Sequence, residues 1–240
     1  MSNNYFRFKE FTVQQEKCSI KVCTDACIFG AWIAEKLTGR ELPVANCLDI
    51  GSGTGLLSLM FAQKNSCTII DTVEIEENAC EQANENFSNS KWNDRLKIFH
   101  TDAKDFVSQK KYDLIICNPP FYENELLSPK KNKNIAKHDA GLMLKDLITI
   151  IKTHLSATGY FAVLLPYQRI KYFEEQAEEN NLFIHEKLLV RQTPAHNFFR
   201  GILFFGNNKT AVETNELSIK NGEGYTKEFT ELLKDYYLKL

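Results

Sequence analysis

Residues 46–57 read NCLDIGSGTGLL, an apolar strand pattern that leads through three alternating glycines into a helical pattern. Glycine at positions 51, 53 and 55 lets the backbone turn tightly and lets a ligand approach the main chain. The amides at the start of the following helix then face that ligand. In a doubly wound sheet such a turn lies at the carboxyl ends of the strands, where ligands bind. The stretch therefore predicts an α/β fold with a ligand site after this strand.

The glycine spacing differs from two common nucleotide sites. A dinucleotide site needs Gly-x-Gly-x-x-Gly, but Leu56 stands three positions after Gly53. A P-loop is also excluded, because no Gly-Lys-Ser/Thr follows. A nicotinamide oxidoreductase therefore stays a weak alternative, which tight binding of NAD would revive.

Strand and helix patterns alternate along the rest of the chain, which predicts βαβ units and a mostly parallel sheet. Seven strands are predicted, at 46–50, 68–75, 96–100, 112–117, 160–165, 183–190 and 201–205. Helices are predicted at 56–63, 76–87, 141–155 and 167–180. Only residues 191–200 separate the last two strands, so we expect an antiparallel hairpin at the end of the sheet.

The segment before the first sheet strand, residues 1–45, carries its own short patterns. Aromatic and polar residues alternate between Phe6 and Val13, which indicates short strands, and Thr24 and Asp25 could cap a helix. We expect this segment to form a small lid over the cofactor site and residues 46–240 to form one structural unit.

Composition limits the class of protein. The 240 residues, 43% of them hydrophobic, suffice for one sizeable core. The net charge of −2 excludes binding of nucleic acid by bulk positive charge, although not a local basic patch. We expect a cytoplasmic protein, since no membrane span or signal peptide is evident. The seven cysteines contain no Cys-x-x-Cys, so we expect reduced thiols and no metal site.

Two acids follow the next strands. Glu74 ends the second predicted strand, where a carboxylate can accept both hydroxyls of a ribose. Asp102 follows the third strand and could cap a helix over residues 103–109. A cap at Asp102 is compatible with a ligand contact there.

Residues 117–122, CNPPFY, end the fourth strand. Two prolines fix the backbone and remove two amide donors. The side-chain oxygen of Asn118 and the carbonyl of Pro119 can then accept both hydrogens of one NH2 group, while Phe121 stacks on a flat ring. This turn suits an exocyclic or amide nitrogen as the acceptor of a transferred group.

The two motifs together resemble those of class I S-adenosylmethionine-dependent methyltransferases. Asp-x-Gly-x-Gly-x-Gly at 49–55 is similar to their first motif, and 118–121 resembles the Asn-Pro-Pro-Tyr/Phe signature of enzymes that methylate amino groups. The resemblance implies a Rossmann-like fold and a cationic cofactor. The implied cofactor ligands are Asp49, Gly51, Gly53, Gly55, Glu74, Asp102 and Asn118, and the implied catalytic residues are Asn118, Pro119 and Phe121.

The flanking segments narrow the resemblance. The stretches 8–13 (FKEFTV), 20–25 (IKVCTD), 29–32 (FGAW) and 136–139 (AKHD) are similar to the bacterial tRNA1(Val) adenine-N6-methyltransferase family, over residues 6 to about 205. That family methylates adenine 37, just 3′ of the anticodon. The resemblance implies that Lys21, Thr24 and Asp25 line the cofactor pocket. One departure is Cys23, where the family pattern has glycine.

A tRNA substrate requires local cationic groups. Candidate contacts to RNA are Lys130, Lys131, Lys133, Lys137, Arg191 and Arg200. The lysine segment could instead be a solvated loop, and Phe198 and Phe199 beside the arginines could belong to the core. No obligate protein partner is evident.

Three other functions remain open at this point. An rRNA guanine-N2 methyltransferase and a release-factor glutamine methyltransferase share the Asn-Pro-Pro turn, and the N-terminal segment argues for the tRNA enzyme. A non-catalytic binding module is disfavoured, since it need not keep Asp49, Glu74 and Asn118.

Overall fold

The computed structural model describes residues 3–38, 44–120 and 144–240. The strands are β1 (Tyr5–Arg7), β2 (Thr12–Gln14), β3 (Asn46–Ile50), β4 (Ile69–Glu74), β5 (Leu96–His100), β6 (Tyr112–Cys117), β7 (Leu155–Pro166), β8 (Phe183–Arg191), β9 (Phe198–Gly206), β10 (Glu213–Ser218), β11 (Lys220–Asn221) and β12 (Gly224–Tyr225). The helices are α1 (Thr24–Leu37), α2 (Leu56–Lys64), α3 (Glu77–Ser88), α4 (Leu144–His154), α5 (Ile170–Glu179) and α6 (Lys227–Leu233). A 3-10 turn at Tyr167–Arg169 precedes α5.

The central sheet is mixed and mostly parallel, as predicted. Its strand order is β10-β8-β9-β7-β6-β3-β4-β5. All of its strands run in the same direction except β9, which pairs antiparallel with both β7 and β8. The chain leaves β3 toward β4 and β5 and later returns to β6 on the other side of β3. This reversal makes the β3–β6 boundary a topological switch point, where α/β sheets bind ligands.

The predicted count of seven strands is wrong, because the sheet already contains eight strands among the described residues. The additional strand, β10, pairs parallel with β8 at the edge of the sheet. Its sequence, ETNELS, is mostly exposed, and only Leu217 is buried. An edge strand that faces solvent needs no apolar run, so the criterion that identified the other strands could not detect this one.

Helices cover both faces of the sheet, which explains the apolar runs of its central strands. One buried cluster joins a face of the sheet to α1, α2, α3 and α6, and the second joins the opposite face to α4 and α5. Neighbouring residues of β3 alternate between the two clusters: Cys47 belongs to the first and Leu48 to the second. None of the helices in the described part of the chain has the length and hydrophobicity of a membrane span.

The N-terminal segment shares the main core. β1 and β2 pair antiparallel, and Phe8 forms a bridge with Tyr237 near the C-terminus. The amide of Lys9 also donates to the carbonyl of Tyr236 at 2.8 Å. Since α1 belongs to the same buried cluster as α2 and α6, residues 3–38 pack as part of one hydrophobic unit with the sheet.

Candidate active site

Four groups singled out in the sequence follow the carboxyl ends of neighbouring strands. These ends form what we call the carboxyl edge of the sheet, as distinct from its lateral edge strands. Gly51 follows β3, Glu74 ends β4, Asp102 lies two residues beyond β5, and Asn118 directly follows β6. These strands are parallel and adjacent in the order β6-β3-β4-β5. Their carboxyl ends therefore bring the four groups into one row, with Gly51 and Asn118 on the two sides of the switch point.

The glycine turn needs the backbone freedom of its three glycines. Gly51, Gly53 and Gly55 have φ values of 72°, 54° and 79°, in the left-handed region that L side chains rarely adopt. The amide of Gly51 donates to the carbonyl of Val73 at 2.8 Å, which fixes the turn to β4. The turn is thus shaped by backbone bonds between neighbouring strands.

The three glycines have different surroundings. A Cβ atom at Gly55 would lie 2.4 Å from the ring of Phe87, so this glycine permits packing between α2 and α3. A Cβ at Gly51 or Gly53 would meet nothing within 4 Å among the described residues. Packing therefore does not explain these two glycines, and the open space above them is where a ligand can reach the main chain.

Asp49 lies beneath this turn and is fully buried. Its Oδ2 accepts a hydrogen bond of 2.7 Å from the hydroxyl of Ser58. Its Oδ1 has no hydrogen-bond partner within the described part of the chain, and neither has the buried hydroxyl of Ser52. Burial raises the pKa of the Asp49 carboxyl to about 7, although the Ser58 hydrogen bond acts in the opposite direction. An unpartnered buried oxygen that gains from a nearby positive charge fits a cationic ligand.

Glu74 holds the turn through its own side chain. Its Oε2 accepts the amide of Gly53 at 2.8 Å, and its Oε1 accepts the amide of Glu76 at 2.9 Å. Each carboxylate oxygen can accept a second hydrogen bond. The expected bonds from two ribose hydroxyls are therefore compatible with this arrangement, in which Glu74 also shapes the glycine turn.

Asp102 does not cap a helix, and the predicted helix at 103–109 is wrong. Residues 103–105 form a turn, in which Asp102 Oδ1 accepts the amide of Lys104 at 2.9 Å. The ring of Phe106 then packs 5.4 Å from that of His154 on α4. Anchoring of this aromatic ring to the core favours an irregular path over the local helical pattern. Asp102 lies just beyond the end of β5, the neighbour of the strand that Glu74 ends.

The N-terminal candidates lie at or just before the start of α1. Lys21 donates through Nζ to the carbonyl of Gln15. Thr24 and Asp25 are the first residues of α1, so their predicted role as its cap is wrong; the N-cap is Cys23. Cys23 has extended angles (φ −129°, ψ 157°), which any residue adopts, so the glycine of the family pattern is not required there.

Asn118 and Pro119 form the other side of the row. Asn118 is half-buried and Pro119 is buried. The preceding residue, Cys117, pairs with Ile50 of β3 and Val163 of β7. The turn therefore starts directly beside the glycine turn. Phe121 and the four candidate lysines lie outside the described residues.

The two candidate RNA-contacting arginines both bind carboxylates of the chain. Arg191 contacts Glu216 at 2.9 Å and donates to Ser218 at 3.0 Å. Arg200 donates through Nε to Asp25 at 2.8 Å. Both partners are distant in sequence, and Glu216 lies on the strand that the sequence did not reveal. The structure thus places Arg191 and Arg200 in ion pairs at the carboxyl edge of the sheet.

Sequence reasoning missed one aromatic side chain at this edge. Tyr167 directly follows β7 and is 43% exposed. The rule that identified Asn118, a chemically distinctive residue just beyond the end of a parallel strand, applies to Tyr167 as well.

Comparison with known proteins identifies the fold and the family of the chain. Residues 30–166, more than half of the chain, match the family model of the methyltransferase small domain. A solved structure described as a predicted O-methyltransferase, from Agrobacterium tumefaciens, has the same fold, with a TM-score of 0.66 and 13% identity over 88% of this chain and 96% of that one.

Two full-length relatives are much closer in sequence. Both are named tRNA1(Val) (adenine(37)-N6)-methyltransferase. The protein from Dyadobacter fermentans is 42% identical over 99% of this chain and 98% of its own length. The protein from Trichodesmium erythraeum is 40% identical over the full length of both chains. The chain therefore belongs to the tRNA1(Val) (adenine(37)-N6)-methyltransferase family, within the methyltransferases of the small-domain type.

Proposed function

We propose that this protein transfers a methyl group from S-adenosylmethionine to N6 of adenine 37 in tRNA1(Val). The observation that carries the proposal is the pairing of two turns across the switch point. The open glycine turn after β3 lies beside the Asn118–Pro119 turn after β6. The first suits a cofactor that approaches the main chain, and the second suits an amino group as acceptor. The full-length relatives share this assignment by name.

The cofactor would be held by the groups that line the row. Backbone atoms at Gly51 and Gly53 leave open space for it, and Glu74 and Asp102 would accept hydrogen bonds from its ribose and adenine. The unpartnered Oδ1 of Asp49 would stabilise its positive charge. The cofactor supplies a methyl group that is already activated by the sulfonium charge.

The residues of the chain would then orient the target amino group. Adenine N6 is a weak nucleophile, because its lone pair is delocalised into the ring. Asn118 Oδ1 and the Pro119 carbonyl would accept its two hydrogens and favour a pyramidal nitrogen in the transition state. Alignment of the amino nitrogen with the activated methyl carbon would lower the entropic part of the barrier. A strong general base is not needed, since the nitrogen becomes acidic once it is methylated. It would lose one proton to solvent, and the cofactor would leave as its demethylated thioether.

The RNA would be held by sequence-independent contacts around the flipped base. Phosphate contacts by Lys130, Lys131, Lys133 and Lys137 remain a prediction, since these residues lie outside the described part. Lys21, Thr24 and Asp25 would contribute to the cofactor pocket from the N-terminal segment. Because the substrate would be tRNA, we expect the reaction to take place in the cytoplasm.

A methyl-transfer assay tests the proposal. The purified protein is incubated with labelled S-adenosylmethionine and unmodified bulk tRNA, and the nucleosides are then separated. We expect the label in N6-methyladenosine, and a tRNA1(Val) transcript with adenine 37 replaced by guanine should stay unlabelled. Label in a guanosine, or only in a protein glutamine, would overturn the substrate and leave the cofactor assignment intact.

A further inference from the structure

We propose that Tyr167 and Phe198 form a stacking platform for an unpaired base that neighbours the methylated adenine. The platform consists of these two rings, with Arg191 behind Phe198. The inference rests on the proposed function, because it takes RNA as the substrate. It assigns a role in substrate recognition to an aromatic pair that the cofactor and the target base do not use.

The topology places the platform beside the Asn118 turn. β7 is the neighbour of β6 in the sheet, and Cys117 at the end of β6 is in register with Val163. β7 continues past that point to Pro166, so Tyr167 lies beyond the same edge, one strand away. β9 begins at Phe198 and runs antiparallel to β7, with Arg200 opposite Pro166. Both rings therefore project from the carboxyl edge, next to the turn that would hold the target base.

The rings are preorganised. The ring centroids of Tyr167 and Phe198 are 5.6 Å apart. The guanidinium carbon of Arg191 lies 5.0 Å from the centroid of Phe198. Arg191 is itself held by Glu216 and Ser218 of β10. This chain of contacts fixes Phe198 from behind, and Phe198 in turn limits the positions that Tyr167 adopts. A base that stacks here would therefore lose little of its binding energy to ordering of the platform.

The exposed surface of Tyr167 is what an unpaired base requires. Tyr167 is 43% exposed, so part of its ring is open to a stacking partner. Bases in RNA loops are recognised by stacking on aromatic rings and guanidinium planes. The position beside the Asn118 turn means that a loop inserting its adenine there would present the adjacent base to Tyr167.

Charge at this edge favours stacking over phosphate contact. Arg191 and Arg200 both bind carboxylates of the chain, and the chain as a whole carries a net charge of −2. The described part of this rim thus offers little uncompensated positive charge to a phosphate backbone. Stacking on an aromatic ring does not depend on net charge, and it contributes enough to change affinity roughly tenfold or more per base.

Steady-state kinetics with defined RNA substrates test the platform. The RNAs are a short stem-loop with the target adenine in its loop, and two copies in which either the 5′ or the 3′ neighbour of that adenine is an abasic ribose. The proteins are the wild type, Tyr167→Ala and Tyr167→Phe. Phe183→Ala is the matched control, because it removes a ring that also lies under a cation, Lys209 at 4.9 Å, at the opposite edge of the sheet.

We expect Tyr167→Ala to raise KM for the intact stem-loop about tenfold, with kcat and the Kd for S-adenosylmethionine unchanged. Tyr167→Phe and Phe183→Ala should stay within about twofold of the wild type. One of the abasic RNAs should raise the wild-type KM by a similar factor, and on that RNA Tyr167→Ala should add no further loss.

Three results would overturn the platform. The first is an unchanged KM for Tyr167→Ala on the intact RNA. The second is a Tyr167→Ala defect of equal size on all three RNAs, which would indicate a merely structural role. The third is a wild-type KM that neither abasic site alters. This measurement uses only the wild-type protein, so it does not depend on whether a variant folds. If the wild type methylates no RNA at all, the proposed function itself fails, and that outcome is distinct from the other three.

Discussion

The glycine turn and the rim formed by the ends of β8 and β9 are held together by different interactions. The glycine turn is held through its own amides: the Gly51 amide donates to the carbonyl of Val73, and the Gly53 amide donates to the side chain of Glu74. At the rim, pairs of side chains from distant parts of the chain meet. Asp25 and Arg200, which form an ion pair, are 175 residues apart.

The difference suggests how each side tolerates change. A turn that is held through its own amides and built on left-handed glycines accepts few substitutions, because a side chain both strains it and fills the ligand space. Ion pairs at a partly exposed rim contribute little stability each and can be replaced singly. We therefore expect large functional effects from the turns and small ones from the rim pairs.

The largest effect should come from Asn118→Ala. The substitution removes one of two acceptors for the amino group, so turnover should fall about 100-fold or more, as when one preorganised hydrogen-bonding group is lost from an active site. The Kd for S-adenosylmethionine should change little. Turnover with tRNA and calorimetric titration with the cofactor measure the two quantities separately.

Glu74→Ala is the opposite case and serves as the comparison. It removes the acceptor of the Gly53 and Glu76 amides, so cofactor affinity should fall first and turnover at saturating cofactor should fall less. Equal losses of turnover and cofactor affinity in both variants would contradict the division of the site into two sides.

Gly51→Ala and Gly222→Ala form a matched pair with an intermediate effect. Their φ values are 72° and 65°, and a Cβ at either position would meet nothing within 4 Å among the described residues. Both variants should lose about 1 kcal/mol of unfolding free energy from left-handed strain. Only Gly51→Ala should also weaken cofactor binding, by about tenfold, because its Cβ would occupy the ligand space. Urea denaturation and cofactor titration test the pair, and equal cofactor affinity in both would remove Gly51 from the site.

The pH dependence of Asp49 gives a smaller effect. Burial raises the pKa of this carboxyl to about 7, so the folded protein retains a proton that the unfolded chain releases near pH 4. Its contribution to stability therefore falls as pH rises from about 4 through about 7. Cofactor binding should change in the opposite sense and strengthen through about pH 7, since the ionised carboxylate favours a cation. Asp49→Asn should abolish both trends, and a wild-type cofactor affinity that does not vary with pH would contradict the assignment.

The smallest effect should be the coupling between Asp25 and Arg200. Their side chains are 14% and 25% exposed, respectively, so screening by solvent limits the interaction. A double-mutant cycle with Asp25→Ala and Arg200→Ala should give a coupling of about 0.5–1 kcal/mol in unfolding free energy. If Arg200 also contacts RNA, Arg200→Ala should raise KM for tRNA more than Asp25→Ala does. Equal KM values would restrict Arg200 to positioning the N-terminal segment.

Predictions from local sequence patterns succeeded for the buried strands and failed where exposure or distant contacts decided the structure. β3 and β6 begin and end where the sequence indicates, because each is a mostly apolar strand buried between helices. β5 also has the predicted bounds, although it lies at the end of the strand order and only Leu96 is buried. The helix expected after Asp102 is absent, since contacts of Phe106 with α4 override a local pattern. β10 was missed, because an exposed edge strand carries no such run.

The sequence by itself determined the α/β class, the glycine turn and the Asn118 turn, because each depends on residues that are neighbours in the chain and on the chemistry of glycine and proline. Only the tertiary structure decided that Asp49 keeps an unpartnered oxygen, that Arg191 and Arg200 bind carboxylates, and that Tyr167 and Phe198 form one exposed surface. These features depend on which strands become neighbours. Strand neighbours are set by packing of the whole sheet, which no local pattern records.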